Sequence, residues 1–321
     1  MSEHEARSWV LAAPAAVLAA ARPLVEAHAR HRPVRLVARE SGRPAGLDEL
    51  AEWADGAAGL LVCSDGRWAP RSALPGPFVT SADGRQVPVG WVPAGGRGHG
   101  LGAFVAAAAR VAARPANAAA TIAILAQWVP RYLQLAERLD HYLPAQTGRL
   151  RWSADRITRD DVAQALRLGL GAAVYFGHGR PSGWAAYHGV RAHHLVTGGE
   201  PLGAVISMTC YTASRWRVGT SFAEQVVLGG AAAASVGAVA PVEHLDNARW
   251  MIGLAAALAE GQTAVGPALC AALPAGPSPY RIVGDPLAAL LGTPAGWSAA
   301  LAVAAPPPDT QLYLALKGNP S

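Results

Sequence analysis

Lysine is almost missing from this chain: of 27 basic residues in 321, only Lys317 is a lysine. With arginine so dominant, the choice of arginine at any single site carries little information. Cysteine is scarce too, with only Cys63, Cys210 and Cys270. So few in so long a chain exclude a disulfide framework, and the odd count leaves one unpaired. A reducing, cytoplasmic compartment is expected. The net charge is +5 and the pI about 9.4, yet no arginine run exceeds two residues. A nucleic-acid footprint needs a basic stripe and not only a basic total, so no nucleic-acid partner is expected. No stretch of about 18 or more apolar residues escapes a charge or a breaker, so no membrane span is expected. No internal period of about 20–50 residues is visible, which excludes a solenoid or propeller. The glycine-rich run Gly95-Gly-Arg-Gly-His-Gly100 lacks the Lys-Ser/Thr pair of a phosphate loop and reads as a linker or lid. That disfavours a nucleotide-binding α/β protein. His178, His188, His193 and His194 fit no zinc spacing, and no cysteine or acid pair joins them. No metal and no other cofactor is expected.

What is present is apolar. Hydrophobic residues make up 51% of the chain, with 35 glycines and 25 prolines. That is enough to bury a real core, and the length allows one large domain or two ordinary ones. Trp9–Ala21 imitates the core of a secretion signal, but Met1–Arg7 holds two acids and one arginine where secretion prefers a cationic start. It therefore reads as a strand, Trp9–Ala13, and a helix from Pro14 to about Arg30. Val34–Ala38 and Ala58–Cys63 read as further strands, Leu47–Ala54 and Leu101–Ala113 as helices. This β-α-β-α-β alternation is the pattern of a small parallel sheet. A second unit follows, with strands at Ala118–Ala126, Ala172–Gly177, Ala204–Thr209 and Ala231–Ala240, and Tyr280–Pro286 ends it. Helices follow Pro130, Thr158, Ser221 and Asn247. The expected organisation is an N-terminal α/β subdomain at 1–115, a catalytic domain at 116–291 and an extension at 292–321.

Two strand ends carry the chemistry. His178 follows Ala172-Ala-Val-Tyr-Phe-Gly177, and Cys210 follows Ala204-Val-Ile-Ser-Met-Thr209. Residues just past the carboxyl ends of parallel strands line the ligand crevice. If the two strands are neighbours, an imidazole and a thiol share one edge. A neutral thiol is a poor nucleophile, and a nearby imidazole can take its proton and later return it to a leaving amine. The Gly179 and Cys210 N–H groups are candidates for an oxyanion hole. Alone, His178 reads as a satisfied histidine and Cys210 as a small buried hydrophobe; together they favour function. Cys63 and Cys270 read as core residues.

These motifs resemble the gingipain-type cysteine peptidases of family C25. Val174-Tyr-Phe-Gly-His-Gly179 with Gly183-Trp184 is similar to their histidine motif, and Ala204–Cys210 to their nucleophile strand. Thr220–Gln225, Gly229–Ala238 and Gly284-Asp-Pro286 resemble later family segments. The resemblance covers Ala118 to Leu287 well and the first third in outline. It implies an α/β, caspase-like parallel-sheet sandwich with helices on both faces, preceded by a smaller α/β subdomain, with relatives among CHAT domains. It implies a cysteine endopeptidase with a His178/Cys210 dyad and no cofactor, acting on a protein or peptide substrate. It leaves room for a regulatory partner protein, in a bacterial regulated-proteolysis or defence pathway. The alternative is a caspase-like scaffold or sensor without activity. The family adds an acid that orients the histidine, for which Asp65, Asp155 and Glu243 are candidates. Family pockets that choose Arg or Lys carry an acid, those that choose Asp carry bases, and the resemblance leans to a basic P1. Glu243, His244 and Asp246 are candidate pocket residues or a solvated loop. Trp184 is a candidate cleft wall or a core tryptophan. Asp285 is expected to cap a turn or tie strands.

Overall fold

The computed structural model describes residues 7–290 except 41–44, 65–75, 94–99, 116–120, 146, 155–156, 197 and 273–277. The expected 292–321 extension lies outside the described residues. In the first third, the elements are β1 (Ser8–Ala13), α1 (Ala15–Ala20), α2 (Arg22–Ala29), β2 (Val34–Ala38) and α3 (Leu47–Ala54), then β3 (Ala57–Ser64), β4 (Phe78–Thr80), β5 (Gln86–Pro93) and α4 (Leu101–Ala112). The single helix expected from Pro14 to Arg30 is two helices. Pro23, at the start of α2, lacks the N–H that would continue the first helix, and its ring clashes with the preceding turn.

The second unit holds β6 (Thr121–Ala126), α5 (Pro130–Tyr142), β7 (Gly148–Ser153), α6 (Arg159–Leu166), β8 (Ala172–Phe176), β9 (Gly179–Arg180), β10 (Gly183–Trp184) and α7 (Ala192–Leu195). It continues with β11 (Leu202–Met208), α8 (Phe222–Leu228), β12 (Ala232–Ala238), α9 (His244–Ala259), α10 (Val265–Ala272) and β13 (Tyr280–Gly284). Thr158 caps α6 as its position before two acids suggests, its hydroxyl accepting from the Asp161 N–H. α9 starts at His244, three residues before the expected Asn247, so Glu243, His244 and Asp246 sit at a helix N-terminus and not in a free loop.

One sheet runs through both units in the order β2-β1-β3-β5-β13-β12-β11-β8-β6-β7, with β4 beside β5. It is mostly parallel, as expected. The exceptions are β13, antiparallel to β12, and β4, antiparallel to β5. β13 also pairs in parallel with β5, Ile282 opposite Gly90, and so joins the two units into one sheet.

Side chains alternate along each strand, and the core follows. Trp9, Leu11 and Ala13 enter one cluster, Val10 and Ala12 another; Ile122 and Ile124 face one way, Ala123 and Leu125 the other. Both faces are therefore covered by helices. That is why β8, β11 and β12 are buried at every residue and read as unbroken apolar runs.

At the end of β13, Asp285 is fully buried. Its carboxylate accepts from the Trp9 indole (3.1 Å) and the Leu287 N–H (3.0 Å) and pairs with His28 Nε2 (2.8 Å). The Trp9 and His28 rings stack at 4.2 Å. One carboxylate thus ties β1 and α2 to the far end of the chain. Among the described residues, no helix is long and apolar enough to cross a membrane.

Candidate active site

β8 and β11 are adjacent and parallel, with Phe176 opposite Met208. His178 and Cys210 each follow two residues later, at the same carboxyl edge. The loop after His178 turns back sharply. The His178 carbonyl accepts from the Ala185 N–H (2.9 Å) and the Tyr175 hydroxyl (3.0 Å). The turn sets Gly179 directly on Cys210. A Cβ at Gly179 would lie 2.6 Å from the Cys210 carbonyl oxygen and 2.6 Å from Thr209 Oγ1, so only glycine fits. From the other side, Gln127 at the end of β6 accepts from the His178 N–H through Oε1 at 2.8 Å.

After Cys210 the chain is pinned. Tyr211 takes a left-handed conformation (φ 64°), which an aromatic residue adopts only under constraint. Ala213 N–H donates to Ala238, and Ala223 N–H to Thr212. The half-buried Sγ accepts from the Val242 N–H at 3.3 Å. The Cys210 N–H itself has no hydrogen-bond partner among the described residues, as an oxyanion donor requires. Gly179 is paired with Trp184 in the β9–β10 ladder.

The imidazole and the sulfur do not hydrogen-bond to each other. His178 Nε2 lies 3.3 Å from the Arg131 guanidinium, and its ring meets Tyr132 edge-on at 5.5 Å. Tyr132 also meets the His244 ring, at 6.5 Å. Among the described residues no carboxylate bonds to His178. Glu243 is exposed at the N-cap of α9 without reaching the imidazole, and Asp65 and Asp155 lie outside the described residues. Asp246 pairs with Arg249 at 3.6 Å.

Trp184 is in the core. It is 1% exposed, stacked on Tyr175 at 4.6 Å, and its indole N–H donates to Ser207 at 2.9 Å. A side chain enclosed in this way lines no cleft. The other two thiols are set apart by environment. Burial pushes both Cys63 and Cys270 up to about 12, so neither forms a thiolate near neutral pH. Among the described residues no group of three metal-binding side chains assembles.

Gln127, Arg131, Tyr132 and Val242 are site residues that the sequence reading does not single out. Gln127 had a signal, since it follows β6 as His178 follows β8. The others reach the site from 47, 46 and 32 positions away, through packing alone.

The chain matches the model of peptidase family C25 over residues 106–275. Three solved structures are similar in fold. The Arg specific cysteine proteinase gingipain R has a TM-score of 0.65 at 12% identity, over 92% of this chain and 80% of that one. A complex of Porphyromonas gingivalis RgpB pro- and mature domains has a TM-score of 0.65 at 13% identity, over 89% and 80%. A structure described as a protease has a TM-score of 0.64 at 12% identity, over 88% and 78%. No curated protein matches the chain.

Proposed function

The chain belongs to peptidase family C25 and is a cysteine-type peptidase; on that premise we propose that it is an endopeptidase working through Cys210 and His178. The supporting observation is the convergence of the β8 and β11 ends, with Gly179 packed against the Cys210 backbone. Cys210 Sγ gives its proton to the imidazole and attacks a peptide carbonyl. The oxyanion is held by the Cys210 N–H and the N–H near Gly179. The C–N bond breaks, the leaving amine takes the proton from His178, and a thioester remains. Water, deprotonated by His178, then releases the acid and restores the thiol. Chain, substrate and one water supply every atom in this sequence.

Glu243 and His244, exposed at the start of α9, and Asp246, paired with Arg249, flank the same edge and are proposed as substrate contacts. Residues up to 115 form the buttressing subdomain and 116–291 the catalytic domain in this reading. The substrate is a segment of a partner protein in bacterial regulated proteolysis or defence, with control by a second protein. None of the three cysteines is bridged, which favours a cytoplasmic setting.

One observation favours the second reading, an inactive scaffold: Nε2 and Sγ face Arg131 and Val242 and not each other. A thiol-reactive peptide electrophile separates the two. We expect it to modify Cys210 and spare Cys63 and Cys270, with labelling lost in His178→Ala, as read by mass spectrometry. Labelling that is indifferent to His178 favours the scaffold. Gly179→Ala supplies a second check. The added methyl must push the His178 turn off Cys210, so kcat/KM should fall at least about tenfold, with a stability cost of about 0.5–3 kcal/mol. Unchanged turnover would show that this contact does not set the dyad.

A further inference from the structure

Arg131, the second residue of α5, is an unusual neighbour for a general base. Its guanidinium contacts His178 Nε2 (3.3 Å) and the Tyr132 hydroxyl (3.2 Å), and lies over the Tyr132 ring at 4.8 Å. The side chain is exposed. No carboxylate among the described residues ion-pairs with it, whereas Arg215 is held by Glu224 and Arg249 by Asp246. A guanidinium has five donors and no acceptor, so the imidazole must supply the lone pair at Nε2 and keep its proton on Nδ1. The dyad imidazole therefore stands against a cation for which no described carboxylate is a partner.

A carboxylate is a far better partner for that fork than a neutral imidazole. It accepts two parallel hydrogen bonds and brings the opposite charge. A substrate that carries one beside the dyad would draw Arg131 away and free Nε2 in the same movement. A basic side chain in that place would set cation against cation. We propose that Arg131 is the specificity-determining residue, reading the carboxylate of an aspartate or glutamate on the acyl side of the scissile bond, and that this exchange releases His178 for proton transfer. The inference rests on the dyad reading and reverses the basic P1 that the family resemblance suggests.

The test separates binding from cleavage. Four matched fluorescent peptides, with Asp, Glu, Ala or Arg at P1, are titrated into the Cys210→Ala chain and followed by anisotropy. The acidic pair should bind at least tenfold tighter than the other two. Arg131→Ala in the same background should erase that preference, and Arg131→Glu should turn it toward the Arg peptide. Equal binding, no binding, or an Arg preference with Arg131 intact overturns the proposal. The unsubstituted chain is then given a mixed peptide pool. Cleavage after Arg or Lys sinks the Arg131 assignment and leaves the peptidase standing. An acidic binding preference without Cys210-dependent cleavage sinks the peptidase reading and leaves Arg131 as a carboxylate reader.

Discussion

Replacing Cys210 with alanine lowers peptide hydrolysis by roughly 10³-fold or more while the fold persists. The loss is large because the thioester path requires the sulfur, and neither of the other thiols can substitute. Cys63 and Cys270 are both held neutral by burial. The fold persists because Sγ is half-buried and hydrogen-bonds only to the Val242 backbone, so its removal leaves one loop N–H to be rehydrated at a cost within about 1–2 kcal/mol. His178→Ala should lose nearly as much rate, and the double variant little more than either single one, because two residues acting in one proton transfer are not additive. Progress curves on a quenched peptide, with a melting curve for each variant, check all of this. Turnover by Cys210→Ala equal to that of the unsubstituted chain ends the proposal.

Asp285→Asn should lower stability more than any change at the dyad. Burial pushes the Asp285 carboxyl up, but the His28 charge, the hydrogen bond to His28 and donation from Leu287 and Trp9 outweigh it, so its pKa is held below the ordinary range. Removing one member of a buried pair costs about 3–5 kcal/mol, because the other is left without its partner. For a chain of this size the melting temperature should fall by roughly 5–15 °C at pH 7. The pH dependence has a definite sign. A depressed carboxyl contributes in full above the unfolded-state value, near 4, and loses its contribution as pH falls through the folded value. The gap between parent and variant is therefore widest at neutral pH and closes in acid. Melting curves at several pH values test this; a gap that widens in acid, or no gap at pH 7, contradicts the role assigned to the pair.

The strands at the centre of the fold could be read from the chain because both of their faces are buried. Ala172–Phe176 and Ala204–Met208 are continuous apolar runs, and a reactive residue just past each run is a local signal. Elements of mixed character are harder to read. β7 (Gly148–Ser153) carries little local signal because it is an edge strand whose arginines alternate with Leu150 and Trp152. α10 carries little because Gly266 and Pro267 disguise a first turn in which proline is tolerated. The pairing of β13 with β5 has no local signature, since it joins residues about 190 positions apart, as Ile282 and Gly90 show. The same limit applies in the site. His178 and Cys210 announce themselves, but Arg131 at Nε2 depends on where α5 lies across the sheet.

Because β13 fills the middle of the sheet, synthesis and competence are linked. While the ribosome has made everything up to α10 but not yet Tyr280–Gly284, β5 and β12 both present open backbone rows, and the two units have no common sheet. The cleft-bearing half gains its last brace, and through Asp285 its anchor on β1 and α2, only when almost all of the described chain has emerged. The common sheet is thus closed by one of the last described strands to leave the ribosome, and its two halves meet only then.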